Sequence, residues 1–113
     1  MKAEELTAKH CVPCEGGVPA LSPQQAKSML SAIPKWEIAA DGKKIARKWK
    51  MKDFVSSLDL FDKVGKLAEA EQHHPDLHLT GYKNVAIELS THAIGGLSEN
   101  DFIVAAKIDR LAP

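Results

Sequence analysis

The sequence contains no apolar run that approaches the ~20 residues needed for a membrane-spanning helix. Its first ten residues, MKAEELTAKH, are charged and polar, so they do not form the apolar centre of a secretory signal. We therefore expect a cytoplasmic protein with no membrane partner.

The sequence also lacks an excess of either charge. Fifteen Lys and Arg residues balance fifteen Asp and Glu residues, so no long-range field attracts nucleic acid or an anionic membrane. The most basic run spans residues 42–50, but in a strand Lys44, Lys48 and Lys50 share one face. We expect a solvated sheet face there and no nucleic-acid partner.

Cysteine is scarce, and both cysteines lie in one short segment. Cys11 and Cys14 form a C-x-x-C pattern that, with His10, offers at most three nearby ligands, whereas structural zinc sites normally have four. Thioredoxin-like chemistry uses a strand before and a helix after the motif, and a disulfide does not persist in a reducing cytosol. We predict a loop over residues 1–20, ordered by its glycines and prolines. A metal or redox role is the alternative.

The remaining residues, 21–113, are expected to form a single domain, because 113 residues is the size of one domain. Ser22 is a suitable N-cap and Pro23 a suitable first residue for a helix that ends before Pro34. An Asp-Gly dipeptide at 41–42 then predicts a tight turn between two strands.

A long helix is predicted from residue 53 to residue 72, where apolar residues recur at spacings of three and four. Pro75 ends it near His74, because proline disfavours the helical conformation in the residue before it. The predicted apolar stripe consists of Phe54, Leu58, Phe61, Val64 and Leu67.

Two alternating segments follow, and in the second Val85, Ile87 and Leu89 face one side while His92 ends the strand on the polar side. Ser98 and Asp101 fit the capping pattern that opens a last helix. The element order is therefore α-β-β-α-β-β-α. This order predicts an α+β protein in which a four-stranded antiparallel sheet carries three helices on one face.

Three of the five histidines, His73, His74 and His78, fall within six residues, and another is His92. Imidazole can donate or accept a proton near neutral pH. If the last strand lies beside the end of the long helix, His73, His74 and His92 line one pocket and can act as general acid and base. The structural alternative is a helix cap and solvated strand residues. No metal is expected, because adjacent residues rarely direct both rings at one ion.

The spacing of these residues resembles the signature of the pterin-4a-carbinolamine dehydratases, in their bacterial form. The likeness covers about residues 20 to 110, and the leading CVPCEGGVPALS is similar to that of many bacterial members. The matching positions, in order, are Glu69, His73, His74, Pro75, Tyr82, His92 and Asp101.

The resemblance implies a fold of four antiparallel strands with three helices on one face, so residues 21–113 would be a pterin dehydratase-like domain. It also implies a reaction, the loss of water from 4a-hydroxytetrahydrobiopterin or a related 4a-hydroxytetrahydropterin to give the quinonoid dihydropterin. No metal or organic cofactor is required. The family further implies a homodimer, with tetramers in some members.

Carried over residue by residue, the resemblance assigns roles to particular side chains. His73 and His92 would donate and accept protons, and His74 would chiefly hold the pterin ring. Asp101 belongs to the family's site, although helix capping alone would also explain it. The catalytic set is then His73, His74, His92 and Asp101. The substrate-binding set is His73, His74, Pro75, Ser90, Thr91 and His92.

The chain departs from the animal members at two points, since Leu77 replaces a tryptophan and one residue is added before Tyr82. The alternative function is a non-catalytic one, because animal members also act as dimerisation cofactors of a transcription factor and some bacterial relatives serve in assembly. The pathway partner that the family implies is an aromatic amino acid hydroxylase whose pterin is recycled.

Overall fold

The structure is a computed structural model that describes residues 3–11 and 19–112. Its four strands form one antiparallel sheet in the order β1-β2-β4-β3, with helices packed against one face, which confirms the predicted α+β class. Within the described residues, no helix is both long and apolar enough to cross a membrane. Along the chain the elements are α1 (Ala3–Thr7), α2 (Pro23–Leu30), β1 (Glu37–Ile38), β2 (Ile45–Lys50), α3 (Phe54–Glu71), β3 (Asp76–Thr80), β4 (Asn84–Leu89) and α4 (Glu99–Leu111).

The two central strands, β2 and β4, pair along six residues, and the alternation of their side chains separates a buried face from a solvated one. Lys48 and Lys50 are exposed, so the predicted solvated lysine face is confirmed. The apolar residues of the buried face are Ile45, Val85, Ile87 and Leu89.

Arg47 shares the buried face of β2, as the strand alternation predicts, and it is paired there. Its Nη1 lies 2.5 Å from Asp109 Oδ1 on α4, and its guanidinium lies 4.2 Å from the centre of the Trp49 ring. Asp109 also accepts a hydrogen bond of 2.8 Å from Trp36 Nε1. These contacts supply the partners that a buried guanidinium needs.

The start of α2 follows the predicted cap, and the start of α3 has a cap that the sequence analysis did not name. Ser22 Oγ accepts the Gln25 N–H at 3.2 Å, and Pro23 is the first residue of α2. Asp53 Oδ1 accepts the Ser56 N–H at 2.8 Å at the start of α3. Each acceptor satisfies a backbone donor that the helix itself leaves unpaired.

The buried face of α3 agrees only in part with the predicted stripe. Val64 is buried as predicted, and Phe61 and Leu67 are partly buried against the core. Phe54 is 48% exposed and Leu58 is 46% exposed, whereas the buried residues are Ser57, Leu60, Val64, Ala68 and Glu71. Both sets have helical spacing, so periodicity alone did not distinguish two adjacent faces of the helix. The face with the smaller Ser57 and Ala68 packs inward.

The predicted loop over residues 1–20 contains a helix among its described residues. α1 packs on α4, and the Leu6 side chain is fully buried in the core of the domain. The loop prediction is therefore wrong for α1, because burial of Leu6 stabilises a helix too short to be stable alone. Cys14 and the Gly-Gly pair lie outside the described residues.

The prediction that His92 ends the last strand is wrong. β4 ends at Leu89, and His92 begins a single 3₁₀ turn that ends at Ile94. Thr91 forms an isolated bridge with Gly96, and Gly95 has a φ of 66°, a left-handed conformation that glycine adopts readily. This tight return of the chain ends the strand before His92.

Glu71, in the last turn of α3, is a buried carboxylate that joins three parts of the chain. It accepts hydrogen bonds from Lys107 Nζ on α4 and from the Cys11 N–H at 3.1 Å, and its Oε1 lies 3.2 Å from His10 Nδ1. Burial raises the pKa of Glu71, but the hydrogen bonds from Lys107 and Cys11 outweigh burial and hold this pKa below its usual value. The ionised carboxylate fastens residues 3–11, called the N-terminal segment below, to α3 and α4.

Replacing Glu71 with Gln is expected to lower the free energy of unfolding by about 1–3 kcal/mol at neutral pH, because Lys107 loses its charged partner. The folded pKa of Glu71 is depressed, so its stabilisation is complete above the unfolded value, near ~4.3. This stabilisation is lost as the pH falls through the pKa that Glu71 has in the folded protein. The difference in the free energy of unfolding between the wild type and Glu71→Gln should therefore shrink below about pH 4. Urea unfolding across this range measures it.

The control is Asp62→Asn on the same helix, where Asp62 Oδ2 lies 3.1 Å from Lys66 Nζ and both side chains are exposed. This pair should contribute less than about 0.5 kcal/mol. Equal losses in the two variants, or a loss in Glu71→Gln that does not change with pH, would contradict the role of Glu71.

Candidate active site

A pocket of about 640 Å³ opens where the end of α3, the segment after β4 and the N-terminal segment meet. Among the predicted site residues, those that line it are His73, His74, Ser90, Thr91 and His92. Pro75 is not among the lining residues, and Asp101 is fully buried behind them. The end of α3 and the segment after β4 thus bring three histidines to one pocket.

His73 is held by a buried carboxylate. Its Nε2 lies 2.6 Å from Asp101 Oδ1, and only 12% of its side chain is exposed. An ionised carboxylate only accepts hydrogen bonds, so His73 donates through Nε2–H. The lone pair of the neutral ring then lies on Nδ1.

The same carboxylate caps the last helix. Asp101 Oδ2 accepts the Ser98 backbone N–H at 3.0 Å and the Thr91 hydroxyl at 2.9 Å. Since Thr91 donates to Asp101, its Oγ1 accepts from Ser98 Oγ, which is 2.8 Å away. The predicted capping contact and the contact with His73 are therefore made by the two oxygens of one side chain.

His74 has a different environment, although it is the next residue. Gln72 ends α3 in the left-handed conformation with a φ of 53°, and the chain turns there. His74 Nε2 lies 2.5 Å from Glu69 Oε2, and both side chains are exposed to solvent. The two adjacent imidazoles thus have separate carboxylate partners, one buried and one solvated.

The third histidine of the pocket, His92, is exposed at the start of the 3₁₀ turn. Ser90 and Thr91 precede it and also line the pocket. An exposed imidazole can exchange protons with bulk water, whereas His73 is largely enclosed. The pocket therefore has one histidine open to solvent, His92, and one enclosed histidine, His73, and each can take part in proton transfer.

His78 lies elsewhere, on the edge strand β3. Its Nε2 is 2.9 Å from Glu88 Oε1 across the strand pair, and it is not among the pocket residues. The hydrogen bond from His78 is the main reason why the pKa of Glu88 lies below its usual value. His78 is thus a surface ion-pair residue.

Several pocket residues have no counterpart in the sequence-based site, namely His10, Cys11, Glu71 and Asn100. His10 and Cys11 belong to the segment that the sequence predicts as a loop outside the domain, and Glu71 lies two residues after the motif residue Glu69 without a signal of its own. Their positions depend on tertiary packing of the N-terminal segment. Among residues 3–11 and 19–112, no group of three or more His, Cys, Asp and Glu side chains is arranged to hold a metal ion.

Comparison with known proteins identifies relatives over almost the whole chain. An Arabidopsis thaliana protein named pterin-4-alpha-carbinolamine dehydratase 2, mitochondrial, is 49% identical over 110 residues, which are 95% of this chain and 59% of that protein. A Methylococcus capsulatus protein, provisionally named pterin-4-alpha-carbinolamine dehydratase, is 46% identical over 112 residues, 99% of this chain and 97% of that protein.

Two solved structures resemble the fold. A Brucella melitensis protein, described as a transcriptional coactivator/pterin dehydratase, matches with a TM-score of 0.77 and 28% identity over 83% of this chain and 99% of that one. A pterin dehydratase-like protein, described as a RuBisCO assembly factor in the alpha-carboxysome, matches with a TM-score of 0.58 and 20% identity over 69% of this chain and 89% of that one. The second likeness concerns the fold alone.

The family model described as pterin 4 alpha carbinolamine dehydratase matches residues 19–111. This range includes His73, His74, His92 and Asp101, and the likeness predicted from their spacing is confirmed. The chain belongs to the pterin 4 alpha carbinolamine dehydratase family.

Proposed function

We propose that this protein dehydrates a 4a-hydroxytetrahydropterin to the quinonoid dihydropterin by general acid–base catalysis with histidines. The observation that carries the proposal is the hydrogen bond between His73 and the buried Asp101, in a pocket that His74 and His92 also line. A pocket of about 640 Å³ is within the size range of small-molecule sites.

The reaction breaks the bond between C4a and its hydroxyl group and removes the proton from N5, so one molecule of water leaves. His73, with the lone pair on Nδ1, is suited to accept the N5 proton. His92, which is exposed to solvent, is suited to protonate the leaving hydroxyl and to be reprotonated from water. No metal or organic cofactor takes part in this proposal.

The other polar residues of the pocket would bind and orient the pterin. His74, whose ring is held by Glu69, would contact the pterin ring, and Ser90 and Thr91 would offer hydrogen bonds beside His92. Asp101 acts through His73, because it is fully buried and is not a pocket-lining residue. We therefore treat Asp101 as a positioning residue.

The cellular role that follows from this activity is pterin recycling. We place the protein in the cytoplasm, where its product would be returned to the cofactor pool of an aromatic amino acid hydroxylase. The name of the Arabidopsis relative gives a mitochondrial location for that protein. Identifying the pterin that this protein dehydrates tests whether it acts in this recycling step.

A second candidate function is a non-catalytic role in protein assembly. It is favoured by the exposed apolar side chains at the start of α3, Phe54, Val55 and Leu58. A direct dehydration assay separates the two functions, because only the enzyme would dehydrate the pterin at a rate that depends on the pocket histidines.

Replacing His73 or His92 with Ala should lower kcat by about 10²–10⁴-fold, the usual loss when one proton-transfer group is removed. His74→Ala should also weaken substrate binding. Combined loss of His73 and His92 should cost less than the product of the single losses, because groups that act together are not additive. Steady-state dehydration of synthetic 4a-hydroxytetrahydrobiopterin measures these effects.

The matched control is His78→Ala, which removes the same side chain from the outer face of the sheet. Its turnover should equal that of the wild type. Wild-type turnover in the His73 and His92 variants would refute the proposed catalysis, and so would an equal loss in His78→Ala.

We also propose that the protein is a homodimer. Within residues 3–11 and 19–112, β3 is an edge strand of five residues that pairs only with β4, and β1 at the other edge has two residues. Edge strands present unpaired N–H and C=O groups, and symmetric pairing of two copies covers them. Light scattering at micromolar concentration should give twice the monomer mass, and a monomer mass would contradict this proposal.

A further inference from the structure

The N-terminal segment reaches the pocket although it lies outside the family match. The match begins at residue 19, yet His10 and Cys11 are among the residues that line the pocket. Part of the pocket wall is therefore built by a piece of chain that the shared domain does not supply. This part of the wall can set properties that the shared histidines do not.

The wall is anchored at both ends of the segment. Leu6 is fully buried against the core, and α1 packs on α4. At the other end, Glu71 Oε2 accepts the Cys11 N–H at 3.1 Å, and Lys107 holds the same carboxylate from α4. The backbone at Cys11 is thus fixed by a hydrogen bond to a buried charged group, a stronger contact than a neutral pair makes.

Among the described residues, the His10 side chain has one nitrogen held by a hydrogen bond and one without a partner. Its Nδ1 lies 3.2 Å from Glu71 Oε1, and the side chain is 87% exposed. Because the carboxylate only accepts, Nδ1 carries the proton, and Nε2 of the neutral ring is an acceptor. His10 therefore offers a hydrogen-bond acceptor at the open side of the pocket.

The exposed fractions of the His73 and His10 side chains indicate which part of the substrate lies near His10. C4a and N5 must lie close to His73, which is 12% exposed, whereas His10 is 87% exposed. The substituent is carried by C6, the ring carbon bonded to N5, and projects outward from the edge of the ring, so it can reach the open side of the pocket. A hydroxyl group on that substituent is a hydrogen-bond donor of the kind that Nε2 accepts.

We propose that His10 is a specificity residue that accepts a hydrogen bond from a hydroxyl group on the C6 substituent of the pterin, and that Glu71 positions it. This inference rests on the proposed function, since it concerns the same pocket. It adds that the pocket distinguishes hydroxylated from unhydroxylated pterins. It also gives the N-terminal segment a role in ligand choice.

The test compares two unreactive ligands, 7,8-dihydrobiopterin and 6-methyl-7,8-dihydropterin, by titration calorimetry on the full chain. The wild type should bind the hydroxylated ligand more tightly. His10→Ala should weaken binding of that ligand by about 3–10-fold, the value of one hydrogen bond, and should change the methyl ligand by less than about twofold. Equal effects on both ligands, or no effect on either, would overturn the proposal.

Two further variants separate a contact from a general disturbance. Lys9→Ala changes the neighbouring residue, which pairs with Glu99 at the surface and is not a pocket residue, and it should leave the ratio of the two Kd values unchanged. Glu71→Gln should shift this ratio in the same direction as His10→Ala, and the double variant should shift it no further. A purely structural role of Glu71 would lower stability without changing the ratio.

The outcome also distinguishes this inference from the proposed function. Dehydration of 4a-hydroxytetrahydrobiopterin by the wild type, together with an unchanged Kd ratio in His10→Ala, would overturn the role of His10 alone. Failure of the wild type to bind either ligand would overturn the role of His10 and the proposed function together.

Discussion

The carboxylate of Asp101 is the point at which the fold and the pocket are joined. Its Oδ2 accepts hydrogen bonds from the backbone N–H of Ser98, the N-cap of α4, and from the Thr91 hydroxyl. Its Oδ1 contacts His73 Nε2. Because Asp101 is fully buried, an unpaired charge there would cost several kcal/mol. The start of α4, the segment after β4 and the end of α3 must therefore meet at this point, and the position of His73 follows from that requirement.

A second buried carboxylate, Glu71, sets the other side of the pocket. It binds Lys107 of α4 and the backbone of Cys11, so it carries the N-terminal segment to the pocket. The exposed pair of His74 and Glu69 has no such constraint, because water competes for both groups. The pocket thus combines parts held by buried charge with the solvent-exposed pair of His74 and Glu69 and an open side at His10.

The features that were predicted from the sequence are those decided by neighbouring residues. Strand alternation identified the buried residues of β4, and the cap residues Ser22 and Ser98 marked two helix starts. The spacing of the family motif led to His73, His74 and His92, which line the pocket, and to Asp101, which is buried behind them.

The features that were missed depend on contacts between distant parts of the chain. Two faces of α3 satisfy the same helical spacing, and packing against α4 and the sheet chose the one with Ser57 and Ala68. α1 is stabilised by burial of Leu6, which no local pattern signals. His10 and Glu71 are 61 residues apart in sequence, so their contact could not be read from either segment.

The central claim is that Asp101 fixes the His73 ring with its proton on Nε2 and leaves Nδ1 free to accept a proton. The most direct measurement is the ¹⁵N NMR spectrum of the His73 imidazole in the wild-type protein, recorded at a pH where the ring is neutral. The account predicts a protonated Nε2 and an unprotonated Nδ1. A ring that carries its proton on Nδ1, or nitrogen shifts averaged between the two tautomers, would contradict it.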